Sequence, residues 1–163
     1  MAIPAYLSLV DSKGVKITGA SQVVGREGDI EVLSFTHNIT LPAMGSSGKL
    51  SGSRIHKEIS LEKEFDQSSP YLYRSLATGS TLKKALIKWY RINHTGSEIE
   101  YFNILLENVK ITAITPNMYN IKDPDRAMYN HIESLSLRYE AITWCYLEGN
   151  IKFKDSWSSD LFL

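Results

Sequence analysis

One cysteine and four histidines carry most of the nucleophilic and metal-binding potential of this 163-residue sequence. Cys145 could act as a nucleophile, with His37, His56, His94 or His131 as its base. Its neighbours Trp144 and Tyr146 place it in a strand instead, where a lone cysteine is a small packing residue. His131 and Glu133 stand at i and i+2 on one strand face, a spacing suited to two metal ligands. A site needs three or four ligands, nothing nearby completes the set, and the pair reads as a polar strand end. Gly45-Ser46-Ser47-Gly48-Lys49-Leu50 has the outline of a phosphate loop. It fails where Ala43 replaces the first glycine, where Leu50 replaces the magnesium-holding hydroxyl, and because a strand pattern follows it. No Gly-x-Ser-x-Gly elbow, His-Glu-x-x-His pair or dinucleotide fingerprint is present. The sequence predicts no enzyme, no cofactor and no metal.

The elements that would position these residues are mostly strands. From Arg54 to Phe65, Ile55, Ile59, Leu61 and Phe65 share one parity, which predicts a strand with one apolar face. Lys83 to Asn93 and Glu98 to Ile114, separated by His94-Thr95-Gly96-Ser97, predict a long hairpin. Asn130 to Leu147, a Glu148-Gly149-Asn150 turn and Ile151 to Trp157 predict a second. Three stretches change phase: Phe102, Ile104 and Leu106 against Val109, Ile111 and Ala113; Leu135, Leu137 and Tyr139 against Ile142, Trp144 and Tyr146; Ile30 and Val32 against Leu33 and Phe35. Such a flip marks a bend, a bulge or a strand covered on both faces, and barrel closure needs bends. One helix is signed by Ser69-Pro70 at its start and Gly79 at its end, with Leu72 and Leu76 facing the sheet. A shorter helical or irregular stretch is expected from Lys122 to Tyr129, around Pro124. Thr40 to Ser53, with three glycines, a proline and four serines, reads as a long loop that supports no regular element.

Composition narrows the classes further. Eighteen Lys and Arg balance eighteen Asp and Glu, which argues against a nucleic-acid binder. One cysteine gives no disulfide framework. No apolar run approaches the roughly 20 residues that span a bilayer, and the start lacks the pattern of a cleaved signal peptide. With no composition shift along the chain, residues 1–163 read as a single domain, with a core of about 2–157 and a tail of 158–163. The expectation is a soluble protein made in the cytoplasm.

Several segments are familiar in combination: Arg54-Ile55-His56, Ser68-Ser69-Pro70-Tyr71-Leu72-Tyr73, Lys88-Trp89-Tyr90 and Glu100-Tyr101-Phe102-Asn103 through Leu106-Glu107-Asn108-Val109. Asn130-His131-Ile132-Glu133 follows, running to Leu137-Arg138-Tyr139-Glu140-Ala141-Ile142-Thr143-Trp144, then Glu148-Gly149-Asn150-Ile151 and Asp155-Ser156-Trp157. From Ala2 to about Trp157 the chain resembles the haemolysin-coregulated protein (Hcp) family of the bacterial type VI secretion system.

That resemblance implies a mainly β fold: a compact closed β-barrel of two packed antiparallel sheets, one flanking α-helix and a long protruding loop. It implies a homo-hexameric ring, ring-on-ring stacking into an inner tube, and expulsion by sheath contraction with effectors in the lumen. The implied partners are other copies, the tip spike, sheath and baseplate components, and secreted effectors, without nucleic acid or membrane insertion. Assembly in the bacterial cytoplasm and export without a cleaved signal would follow. The loop residues Pro42, Met44, Lys49 and Leu50, with Arg54, are the expected oligomer contacts. Cys145 and the apolar Leu161-Phe162-Leu163 depart from the family pattern. The competing classes are a contractile-phage tail-tube subunit and a small-ligand-binding barrel.

Overall fold

The computed structural model describes residues 3–50 and 52–157. In chain order the strands are β1 (Ala5–Val10), β2 (Lys16–Ile17), β3 (Ile30–Val32), β4 (Ser34–Thr36), β5 (Ile39–Thr40), β6 (Ile55–His56) and β7 (Ile59–Glu64). Helix α1 (Ser69–Thr78) follows, then β8 (Leu82–Ile92), β9 (Glu98–Asn117), β10 (Ile132–Arg138), β11 (Ala141–Tyr146) and β12 (Ile151–Ser156). The fold is mainly β, as the sequence predicts, with one α-helix among the described residues.

All pairings are antiparallel, and β9 belongs to two sheets. Its first part lies between β8 and β11, in a sheet that continues through β8 to β1 and through β11 to β12. Its second part pairs with β10, which pairs with β7, which pairs with β4. The segment 30–36 spans the gap between the two sheets. β3 pairs with β1, β4 pairs with β7, and between them the Leu33 amide donates to the Glu62 carbonyl at 2.8 Å. The circuit β1–β8–β9–β10–β7–β4/β3 therefore returns to β1 and encloses a core that includes Leu7, Ile30, Ile59, Leu61, Ile87, Leu106, Leu135 and Leu137.

The three predicted phase changes fall where the chain passes from one sheet to the other. In β9 the flip sits at Asn108, whose φ of 52° is in the left-handed region that asparagine tolerates better than most residues. Opposite it, Tyr139 and Glu140 separate β10 from β11, and the Asn108 amide donates to Glu140 at 2.6 Å. The third flip is Leu33, between β3 and β4. Each corner keeps apolar side chains on the core side of both sheets by spending a residue to reverse the parity.

Four expectations need correction. Arg54 to Phe65 is not one strand: Ile55 is exposed and His56 buried, the reverse of the expected parity, because β6 pairs with β5 outside the barrel. Asn130 to Leu147 breaks at Tyr139–Glu140, where the corner lies. The 40–53 segment is a hairpin arm, with β5 on β6, an Ala43–Leu50 bridge and the Met44 amide donating to the Lys49 carbonyl. Short pairing survives its glycines and serines because the tight turn is confined to its tip, around Gly48 (φ 65°). Finally, Ser69 does not cap α1. The helix begins at Ser69, Asp66 Oδ1 accepts from the Ser68 amide at 2.9 Å, and the Ser69 hydroxyl turns inward. The C-terminal stop is as predicted, with Gly79 left-handed at φ 64° and its amide bonded to the Leu76 carbonyl. Lys122 to Tyr129 holds a 3₁₀ turn, Pro124–Arg126, capped by Asp123.

Candidate functional site

The arm exposes most of its apolar side chains. Leu41, Met44, Leu50 and Ile55 are 45%, 55%, 64% and 44% exposed, more than a hairpin folding back on its own barrel would leave in water. Lys49 is exposed at the tip and Pro42 is half-buried. Arg54 plays a different part. Its guanidinium grips Asp155 bidentately, at 2.5 Å on both oxygens, and also donates to the Ser156 carbonyl at 3.1 Å. It ties the arm to β12 of its own chain. The expected contact residues thus divide into three exposed side chains, a half-buried proline and one anchor.

The root of the arm is a buried polar cluster. The Tyr139 hydroxyl lies between two imidazoles, 2.9 Å from His37 Nε2 and 2.6 Å from His56 Nδ1. His56 Nε2 reaches Asp155 Oδ2 at 2.9 Å. Trp157 packs over His56 at 5.9 Å between ring centres, and the Arg138 guanidinium lies 4.1 Å from the Trp157 ring centre. The hydrogen bond from Arg54 is the main reason the Asp155 carboxyl falls to a pKa of about 2. Burial first, then the nearby His56, pushes His37 below its ordinary value. Burial drives the Tyr139 phenol well above the usual tyrosine range. Its hydroxyl stays neutral and is held as a two-way hydrogen-bonding group.

The other candidates separate. Cys145 is a free thiol, 4% exposed, on β11, in register with Asn103 and on the face opposite Ile142 and Trp144, which pack on the core. His131 and Glu133 do not meet: His131 is exposed beside Phe65, while Glu133 is buried. Glu133 bonds Lys63 Nζ at 2.7 Å and accepts from the Ser69 hydroxyl at 2.6 Å. Among the described residues no group of three or more His, Cys, Asp or Glu side chains could hold a metal. Sequence reasoning missed Lys63, whose signal was its place on the apolar parity of β7 after Ile59 and Leu61. It also missed the Tyr139–His56–Asp155 chain, whose members lie 83 and 99 residues apart and share no local pattern.

The scaffold is thus mainly β, with a clamped, apolar-tipped arm and a strand, β12, that pairs on one side only among the described residues. The chain belongs to the Hcp family, since the family described as "Type VI secretion system effector, Hcp" matches residues 6–146. It is 33% identical over 168 positions to the "Major exported protein" of Pseudomonas aeruginosa, covering 98% of each chain. It is also similar to the solved Hcp1 protein from the E. coli EAEC 042 pathovar, at a TM-score of 0.87 and 47% identity over 96% of this chain and 99% of that one. Secreted protein Hcp3 of Pseudomonas aeruginosa aligns at a TM-score of 0.78 and 28% identity, over 97% of this chain and 100% of the other. No helix among the described residues is long and apolar enough to cross a membrane.

Proposed function

We propose that this chain is the structural subunit of the inner tube of a type VI secretion system. Six copies close into a ring, rings stack head-to-tail, and sheath contraction expels the tube with effectors in its lumen. The function is structural rather than catalytic, and one domain, residues 2–157, performs it. The observation that carries this reading is the exposed arm on a member of the Hcp family. Met44 and Leu50 supply apolar contact, Lys49 supplies a charge at the tip, and Pro42 stiffens the approach. Arg54 fixes the arm so that little conformational freedom remains to be lost on contact. A patch on one copy that meets a different patch on the next gives a heterologous contact, which closes into a ring or propagates as a tube. The edge strand β12 adds a second open surface, with Ile151 67% and Phe153 61% exposed. Assembly in the bacterial cytoplasm precedes export through the machine, beneath the spike and within sheath and baseplate.

The test is export. In the producing bacterium the protein should reach the medium when the sheath contracts and stay inside when contraction is blocked. Equal release from both strains would overturn the reading.

A further inference from the structure

Both roots of the arm meet on one hydroxyl. His37 precedes β5 and His56 lies in β6, and the two rings approach Tyr139 at 2.9 and 2.6 Å. The Lys57 amide donates to the Asn38 carbonyl at 2.9 Å and closes the backbone at the same place. Few hydrogens are available here, so their positions follow from chemistry. The Asp155 carboxylate only accepts, so His56 must present N–H at Nε2. With both rings neutral, His56 Nδ1 is then bare and accepts from the Tyr139 O–H, and Tyr139 accepts from His37 Nε2–H. All three contacts are made.

One added proton leaves them intact. It enters at His37 Nδ1, the Nε2 hydrogen passes to the Tyr139 oxygen, and the Tyr139 hydrogen passes to His56 Nδ1. The chain now runs in the opposite direction, and the cationic His56 faces Asp155. A second proton has no such route. Both rings then donate to the Tyr139 oxygen, the hydroxyl hydrogen loses its acceptor within the chain, and two cations share one hydroxyl.

We propose that His37–Tyr139–His56–Asp155 is a proton-operated latch on the arm, closed with zero or one proton on the histidine pair and opened by the second. The latch concerns the attachment of the arm to its own barrel and does not depend on the assembly reading. The groups facing the pair are Tyr139 at the end of β10, Asp155 on β12, Arg54 beside β6, the Lys57 backbone, and Trp157 with Arg138 beyond it. Arg54 is the nearest fixed cation, and its charge is matched by Asp155. Burial and the neighbouring ring both resist the proton on His37, which fits a second protonation below its ordinary value of 6.5. The sign follows. A lowered value in the closed state means that latch stability is full above 6.5 and is lost as pH falls through the closed-state value.

The experiment is amide hydrogen exchange on the full chain at about pH 7.5 and about pH 4.5, corrected for intrinsic rates. Ordinary carboxylates also begin to take up protons at the lower pH, and two His37 variants separate their effect from that of the imidazole. Peptides covering 37–57 report the arm, and peptides from β9 report the barrel. Protection of the arm should fall by ~10-fold for each unit by which closure lowers the His37 pKa, while β9 stays protected. His37→Gln and His37→Asn, each of which keeps a hydrogen-bonding side chain but takes no proton, should hold the arm protected at the lower pH. An arm equally protected at both pH values would overturn the latch. So would a loss that persists in both variants while β9 remains protected. Electron micrographs of the same samples report rings separately: arm opening without rings sinks the assembly reading alone, and rings without arm opening sink the latch alone.

Discussion

Lys63 shows how one residue can organise a helix start. Its side chain is fully buried on β7 and touches Glu133, the Ser69 hydroxyl, Asp66 and the Glu64 carbonyl. Those contacts pin the first turn of α1 onto β7 and β10. Removing one partner leaves a buried charge alone, so Lys63→Met should cost about 3–5 kcal/mol in urea unfolding. Adding Glu133→Leu should recover most of that loss, because the desolvation cost leaves with the pair. Asp155 is a different case. Its carboxyl is held near 2, below its ordinary 3.8, by Arg54, so the unfolded chain takes up its proton first as pH falls. Its contribution is complete above 3.8 and is lost on the way down to about 2. In Asp155→Asn, the acid limb of a stability-against-pH curve should lose that component. Cys145→Ala should cost on the order of 1 kcal/mol and leave assembly unchanged, since the thiol only packs. A variant that forms rings yet is not exported would assign Cys145 a chemical role.

At the scale of elements, the corners and the arm carry the argument. Asn108 bends β9 with a positive φ, so Asn108→Val should destabilise the fold by roughly 1–2 kcal/mol and Asn108→Gly by less. Thermal melts would rank the two. The arm tests independence: it makes its pairings with itself and is tied to the barrel at the root. Replacing residues 43–51 by a minimal turn should therefore leave the melting transition of the barrel in place while weakening ring closure or stacking. A shortened protein with normal rings and normal export would reduce the arm to tolerated length. The sequence foretold these elements unevenly, for physical reasons. Parity flips at 33, 108 and 139–140 were visible because alternation is local, and each one marked a corner. The hairpin turn at 93–97 and the Gly79 stop were visible because they need particular residues. The hairpin in 40–53 was hidden because its pairing is backbone bonding between residues chosen for looseness. Lys63, His56 and Asp155 were hidden because burial of a charge depends on a partner far along the chain.

For the whole molecule, the closed circuit of strands pairs most strand edges, and among the described residues the arm and β12 are two places where apolar side chains stand open. Exposed Met44, Leu50, Ile151 and Phe153 are a cost in an isolated chain and an asset in an assembly. The balanced charge of 18 against 18 removes long-range repulsion that would oppose packing many copies together. The central claim is that these surfaces belong to contacts between identical chains. Multi-angle light scattering on the purified protein at micromolar concentration, with negative-stain images of the eluted peak, tests it most directly. The account predicts a mass near six chains and ring-shaped particles with a central hole. A stable monomer with no rings across that concentration range would contradict it.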